Sequence, residues 1–437
     1  MTSDLGALAR PRPRLIALFA RYRYAVAALD QMALSVFGFT LNVVLLRTLS
    51  ATDYGTISLW MTMALLAGSV QAALVPITVY VPGAPDPATA RRLEASFATV
   101  NLMAVAAAAA VAGGVALLSD AEWAAHDGLT LIAIPLFVAA GMYREYYRYT
   151  AFSRHNMAML LWVDGPYLAV TGVCLVAMVL WPRHFANLAA AFLAMSVGCL
   201  VSQLCVRWRG DGVERGLFRG GWVQTYRGIA KEVGWSLLGV VANHAENRSY
   251  VYIATSLAGM ASLAAINAVG LLFRPVSVLV AAWGQSTLPH LSAALANGRL
   301  AEFDRMLGRA LAATAVGSIA VGGVLWLLWT PVAQYVLAGK YPHGILLLLP
   351  WAAASATSVM RYVGSIGLMA AREFRFLAMA QSACGLLAAA ATAGFILWQG
   401  YAGAMWGIAL GNGICFGWEM LRLRRVRHGA AASAMAP

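Results

Sequence analysis

The amino-acid sequence predicts an all-α polytopic membrane protein of about twelve transmembrane helices, arranged as two pseudo-symmetric six-helix lobes. Three observations carry that prediction. Of 437 residues, 61% are hydrophobic and only 11% are charged, where a soluble domain would be about a quarter charged. The apolar runs are long enough to cross a bilayer and recur throughout, so they are spans and not a secretion signal. They also lack the polar–apolar alternation of barrel strands.

Taken in order, the spans are expected near 24–46, 55–81, 96–118, 128–149, 156–180 and 186–206, then 233–257, 262–287, 307–330, 343–369, 376–398 and 401–421. The chain therefore divides into a first lobe (1–206), a cytoplasmic amphipathic linker (207–232), a second lobe (233–421) and a basic cytoplasmic tail (422–437). With twelve spans, 25 of the 31 basic residues fall on one side of the membrane. The opposite loops hold only Arg47, Arg183 and Lys340, and one of them carries Asp120, Glu122 and Asp127. Basic residues mark the cytoplasmic face, so both termini are expected there. The net charge of +13 is then mostly topology plus attraction to anionic headgroups, and nucleic acid is not needed to explain it.

The linker places Trp222, Val223, Tyr226 and Ile229 at helical spacing among Arg215, Arg219, Arg227 and Lys231. That pattern fits a helix lying on the cytoplasmic leaflet, or a simple tether between lobes. A weak repeat supports the division: residues 44–51, closing the first span, echo residues 252–259, closing the seventh. The five cysteines show no CxxC spacing, so neither a disulfide framework nor a zinc site is indicated. No catalytic constellation or nucleotide loop occurs, and neither enzyme activity nor a cofactor is expected.

The most informative stretch is Asn243-His244-Ala245-Glu246-Asn247-Arg248-Ser249-Tyr250, inside the seventh span. Each charge at the bilayer centre costs roughly 2.5–3.5 kcal/mol on insertion scales. At about 100° per residue, Asn243, Glu246, Asn247 and Tyr250 share one helix face, with His244 and Arg248 on its flank. That sector must look into protein or a wet cavity.

Further residues carry a family resemblance. The run from Leu46 to Gly55 resembles the first external loop of bacterial polysaccharide flippases, which read Ala-Arg-x-Leu-Ser/Gly and then Asp/Glu-Tyr/Phe-Gly; Leu46 departs from the usual small residue. Asn247-Arg248 falls where that family often carries a polar or charged pair. Leu288-Pro289-His290-Leu291-Ser292 with Asn297-Gly298-Arg299 is similar to the end of its eighth span, and Val336 to Tyr341 to its loop after the ninth. The resemblance, to the polysaccharide or O-antigen flippase-like branch of the multidrug/oligosaccharidyl-lipid/polysaccharide (MOP) exporters, implies two lobes around a central cavity. It implies an inner-membrane carrier of undecaprenyl-pyrophosphate-linked oligosaccharide, working with membrane lipids and other polysaccharide assembly proteins.

Such a substrate asks for fixed cations in a wet cavity, and arginine can fork two phosphate oxygens. The intramembrane arginines Arg248, Arg274 and Arg361 are the candidates. Each has a structural alternative: Arg248 pairing with Glu246 or an acidic neighbour, Arg274 with Asp30 or Asp164, and Arg361 snorkelling to the interface. Asp30, Asp164 and Glu246 are expected either to bind a coupling ion or proton or to hold helices together. His244 either titrates or packs. Asn243, Asn247, Gln71 and Asn101 either bind sugar hydroxyls or bridge helices. Arg144-Glu145-Tyr146-Tyr147-Arg148-Tyr149 reads as an aromatic and basic belt, or as a headgroup contact at the cytoplasmic mouth. A cation-coupled drug exporter of the same fold is the alternative function, with a membrane glycan polymerase or ligase behind it.

Overall fold

The computed structural model describes residues 23–118, 128–210, 217–218, 221–341 and 343–435. Asp120, Glu122 and Asp127, the arginines before Arg23, and the linker arginines Arg215 and Arg219 lie outside the described residues.

The apolar runs form helices because no water is available in hydrocarbon to satisfy a bare backbone. The first six long helices are α1 (Arg23–Thr48), α2 (Ala51–Leu74), α3 (Pro87–Leu118), α4 (Gly128–Ser153), α5 (Met157–Leu180) and α6 (Leu188–Trp208). Then follow α7 (Trp222–Ala258), α8 (Met260–Leu271), α9 (Arg274–Ala296), α10 (Leu300–Leu327), α11 (Ile345–Ala370), α12 (Phe374–Gln399) and α13 (Ala404–Met435). Among the described residues, nine helical stretches are long and apolar enough to cross a membrane, and α8 with α9, bent by 55°, make a tenth. One of the nine, Phe374–Arg427, takes in α12 and α13 as far as Arg427, around the tight Gly400–Gly403 turn. The polar stretch keeps α7 from counting as apolar. Every expected span thus falls on a helix. Proline explains the bend between α8 and α9, because Pro275 opens α9 without an N–H to continue the preceding turn.

The chain folds as two compact units. One runs through Leu49 and from Trp60 to Val240; the other joins Ser50–Leu59 to Val241 and the remainder. The first turns of α2 therefore belong with the second unit, and the first half of α7 belongs with the first.

In the first unit, Phe97, Tyr146, Tyr147, Leu160 and Val163 build the core. The expected linker helix is the start of α7, continuous with the seventh span. Its Trp222, Tyr226 and Ile229 pack onto that core, while Arg227 and Lys231 remain exposed. The Tyr226 ring meets Phe97 edge-on, with centroids 6.0 Å apart. Its hydroxyl donates to the Leu74 carbonyl, one of the acceptors left over where α2 ends before Pro76. Tyr226→Phe should cost about 1 kcal/mol, visible as a modest fall in the unfolding temperature of the purified protein. An unchanged temperature would mean that water satisfies Leu74 equally well.

Gln71 and Asn101 bridge helices. The Gln71 amide donates to Asn101 Oδ1 at 2.6 Å and to the Met142 carbonyl at 2.7 Å, tying α2, α3 and α4.

The internal repeat is clearest in the last half of each lobe. Helices α4 and α11 are both 26 residues long, and their ends are 217 positions apart, as are the starts of α5 and α12. The turn residues His155 and Arg372 share that spacing and both adopt left-handed φ, of 50° and 60°. Arg144 and Arg361 are also 217 apart, and both are buried.

Candidate functional site

The polar stretch of α7 lies in the second unit. Glu246, 1% exposed, pairs with Arg361 of α11, itself 7% exposed. A third buried group joins them: Glu419 of α13 accepts from Ser365 Oγ at 2.9 Å and from the Cys415 thiol at 3.8 Å. It lies within electrostatic range of Arg361. One oxygen of each glutamate, Glu246 Oε2 and Glu419 Oε2, is buried without a hydrogen-bond partner. Gly364 and Gly385 let the helices close on this cluster, since a Cβ at Gly364 would meet Glu419 at 2.9 Å and one at Gly385 would meet Glu246 at 3.2 Å. Arg361 thus turns inward to a carboxylate and does not snorkel to the interface. Glu419 had no visible signal in the sequence beyond being an acidic residue near the end of an apolar run.

The first unit holds a counterpart. Arg144 pairs with Asp164 of α5 and, at 3.3 Å, with Glu145. Arg148 Nε reaches Asp164 at 3.0 Å, and its guanidinium lies 3.6 Å from Asp30 and 3.1 Å from Glu145. The Arg144 guanidinium also covers the Tyr167 ring at 3.9 Å. The expected belt is therefore corrected. Arg144, Tyr146 and Tyr147 are buried: Asp164 of α5 draws in Arg144, and the two tyrosines belong to the apolar core. In each unit one more carboxylate than guanidinium is gathered: Asp30, Asp164 and Glu145 against two arginines, Glu246 and Glu419 against one.

These pairings decide what is left for the other two arginines. Glu246 is taken by Arg361, and Asp30 and Asp164 by Arg144 and Arg148, so the expected structural partners of Arg248 and Arg274 are occupied. Neither Arg248 nor Arg274 makes an ion pair or a side-chain hydrogen bond among the described residues. Arg274, exposed at the start of α9, lies within electrostatic range of Arg248, Tyr54 and Tyr250. Two like charges thus lie within electrostatic range of each other, and among the described residues no carboxylate pairs with either. Tyr250 donates to Asn267 Oδ1 at 3.0 Å beside them.

The remaining candidates on α7 are engaged locally. The Asn247 amide donates to Asn243 Oδ1 at 2.9 Å and to the Asn243 carbonyl at 3.0 Å. His244 Nε2 shares a 2.8 Å hydrogen bond with Tyr252. No group of three or more His, Cys, Asp or Glu that could hold a metal ion occurs among the described residues. Tyr54, Tyr250 and Asn267 were not foreseen as neighbours of the arginines, because they come from different helices.

No protein-family model and no curated protein matches the chain. Solved structures do. An inward-facing multidrug resistance MATE family transporter of the MOP superfamily superposes with a TM-score of 0.71 at 13% identity, over 89% of this chain and 95% of that one. The lipid II flippase MurJ, in an inward closed conformation, gives 0.69 at 11% identity, over 93% and 91%. A MATE structure in the bent conformation gives 0.60 at 14% identity, over 99% and 100%. At these identities the likeness shows the fold: the chain has the fold shared by these MATE transporters and the MurJ flippase. It is a multi-pass membrane protein built like transporters and flippases.

Proposed function

We propose that the protein is an inner-membrane flippase. It moves a pyrophosphate-linked oligosaccharide on an undecaprenyl-type lipid from the cytoplasmic to the periplasmic leaflet by alternating access, with both termini in the cytoplasm. The observation that supports this reading is the uncompensated pair Arg248 and Arg274. Two guanidiniums held near each other without an acid are unfavourable alone and are relieved by a bound polyanion such as pyrophosphate. Asn243 and Asn247 offer amides for sugar hydroxyls on the same helix. Arg361 serves that site indirectly, by neutralising Glu246 and leaving Arg248 unpaired.

Coupling is assigned to the buried acidic groups. A surplus carboxylate in a dry interior is costly, so each cluster favours one proton or cation: Asp30 with Asp164 in the first unit, Glu246 with Glu419 in the second. His244, hydrogen-bonded to Tyr252, lies instead within electrostatic range of Arg248. A cation-coupled multidrug exporter is the second reading, favoured by Asp30, whose Oδ2 is buried without a hydrogen bond.

Arg248→Ala and Arg274→Ala, each tested for restoring surface polysaccharide to a glycan-export mutant at matched membrane levels, are expected to lose export about tenfold or more, the size of one charge-assisted contact. Normal surface polysaccharide in both variants would sink the cationic-site reading. Strong drug resistance on expression, with unaltered glycan, would favour the exporter.

A further inference from the structure

The first unit carries an apolar cavity that none of the groups above uses. It lies where α5 ends and α6 begins, away from the Arg144–Asp164 pair, and measures about 380 Å³, within the range of small-molecule sites. Ala177 and Met178 of α5 line one side, and Ala190, Leu193 and Val197 of α6 the other. Val197 is 42% exposed and Phe185, also in the lining, 46%, so the cavity opens on the outer surface of the helices. Both helices are long and apolar enough to cross a membrane. The mouth therefore faces hydrocarbon.

The rim of the cavity is chemically different. Trp181, 56% exposed, directly follows α5, and a tryptophan at a span's end marks the level of the lipid headgroups. Arg183 and His184 come next, on the short Pro182–Phe185 turn. Both are exposed, and among the described residues neither side chain makes an ion pair or a hydrogen bond. His184 itself lines the cavity. Asn187, which also lines it, is engaged as the cap of α6, accepting from the Ala190 amide at 2.8 Å. An apolar cavity with so few free hydrogen-bonding groups stays dry, and the phase beside it is lipid. A hydrocarbon chain fits the cavity, and the rim cation fits a negatively charged headgroup.

We propose that this cavity is a lipid site, holding one acyl chain of an anionic phospholipid whose phosphate lies against Arg183 and His184. The guanidinium supplies a fixed charge and the imidazole a ring N–H donor. The site draws on no residue of the second unit and does not depend on the anion reading above.

The test titrates full-length purified protein in detergent with phosphatidylglycerol, and separately with phosphatidylcholine of the same chains. Bound lipid is counted by native mass spectrometry. The parent is expected to bind phosphatidylglycerol more tightly. Ala190→Phe fills the cavity and should weaken binding of both lipids about tenfold, through the loss of several buried methylenes. Val197→Trp, at an exposed position of the same wall, should do the same and serves if Ala190→Phe does not fold. Ala106→Phe, the same change at an exposed position of α3, should bind as the parent does. Arg183→Ala should keep chain binding but lower the preference for phosphatidylglycerol about fivefold, the attraction of one basic residue to an anionic surface. Binding unchanged in the cavity-filling variants overturns the site. An unchanged preference in Arg183→Ala overturns the headgroup contact and the anionic class with it.

Discussion

Arg361→Leu alone is expected to destabilise the protein by about 3–5 kcal/mol, because it strands Glu246 and Glu419 as buried carboxylates with no cation. Glu246 is 1% exposed and Glu419 is fully buried, so water cannot easily take the arginine's place. The double change Arg361→Leu with Glu246→Leu should recover much of that loss, since replacing a whole buried pair by apolar groups is often close to neutral. Glu246→Gln alone should cost less than Arg361→Leu, because a neutral amide leaves Arg361 with Glu419. Unfolding of the parent, Arg361→Leu, Glu246→Leu and the double variant, treated as a double-mutant cycle, gives the coupling directly. Additive single effects would show that the pair is not energetically coupled. The same experiment separates structure from transport. If the double variant folds but no longer couples to an ion gradient, the cluster has a second role.

Gly55→Ala is expected to have the next largest effect on stability. A Cβ at Gly55 would sit 2.0 Å from the Met260 carbonyl oxygen and 2.7 Å from its carbon. The obstacle is backbone at the start of α8, which cannot rotate aside as a side chain can. Overpacking typically costs about 1–3 kcal/mol and occasionally more, and a backbone collision belongs at the upper end. Gly68, farther along α2, is the control, for an added Cβ there meets nothing within 4 Å. Gly68→Ala should be neutral or stabilising by some tenths of a kcal/mol, because alanine restricts the unfolded chain. Equal unfolding temperatures for the two variants would mean that α2 and α8 can part at no cost. Gly55→Ala should also impair transport more than its stability predicts, because Tyr54 beside it lies within electrostatic range of Arg274.

Much of the architecture was legible because the bilayer restricts the choices so severely. Length and apolarity place each span. Even α7, whose polar stretch makes it a poor span by composition, was recognisable from Glu246 and Arg248 in an apolar run. The pairing of charges was not legible. Arg248 and Glu246 are two residues apart on one helix, roughly 200° around it at about 100° per residue, yet proximity in sequence made them natural partners. The partner of Glu246 is Arg361, 115 residues away, and only the packing of α7 against α11 reveals it. Arg144 and Arg148 were misjudged for a related reason. A basic and aromatic run at a span's end has the composition of an interfacial belt, and nothing local shows that Asp164 waits on the next helix. The repeat was detected at the ends of the first and seventh spans, whereas its firmest expression is the constant 217-residue spacing of α4 and α11 with their left-handed turns.

Helix α7 has a mechanical consequence. Its 37 residues form one continuous rod of about 55 Å at 1.5 Å per residue, against a hydrocarbon core of about 30 Å. The helix is thus about 25 Å longer than the hydrocarbon is thick, and its first turns are held within the first unit, where Trp222 and Ile229 pack on the core and Tyr226 fixes them to the end of α2.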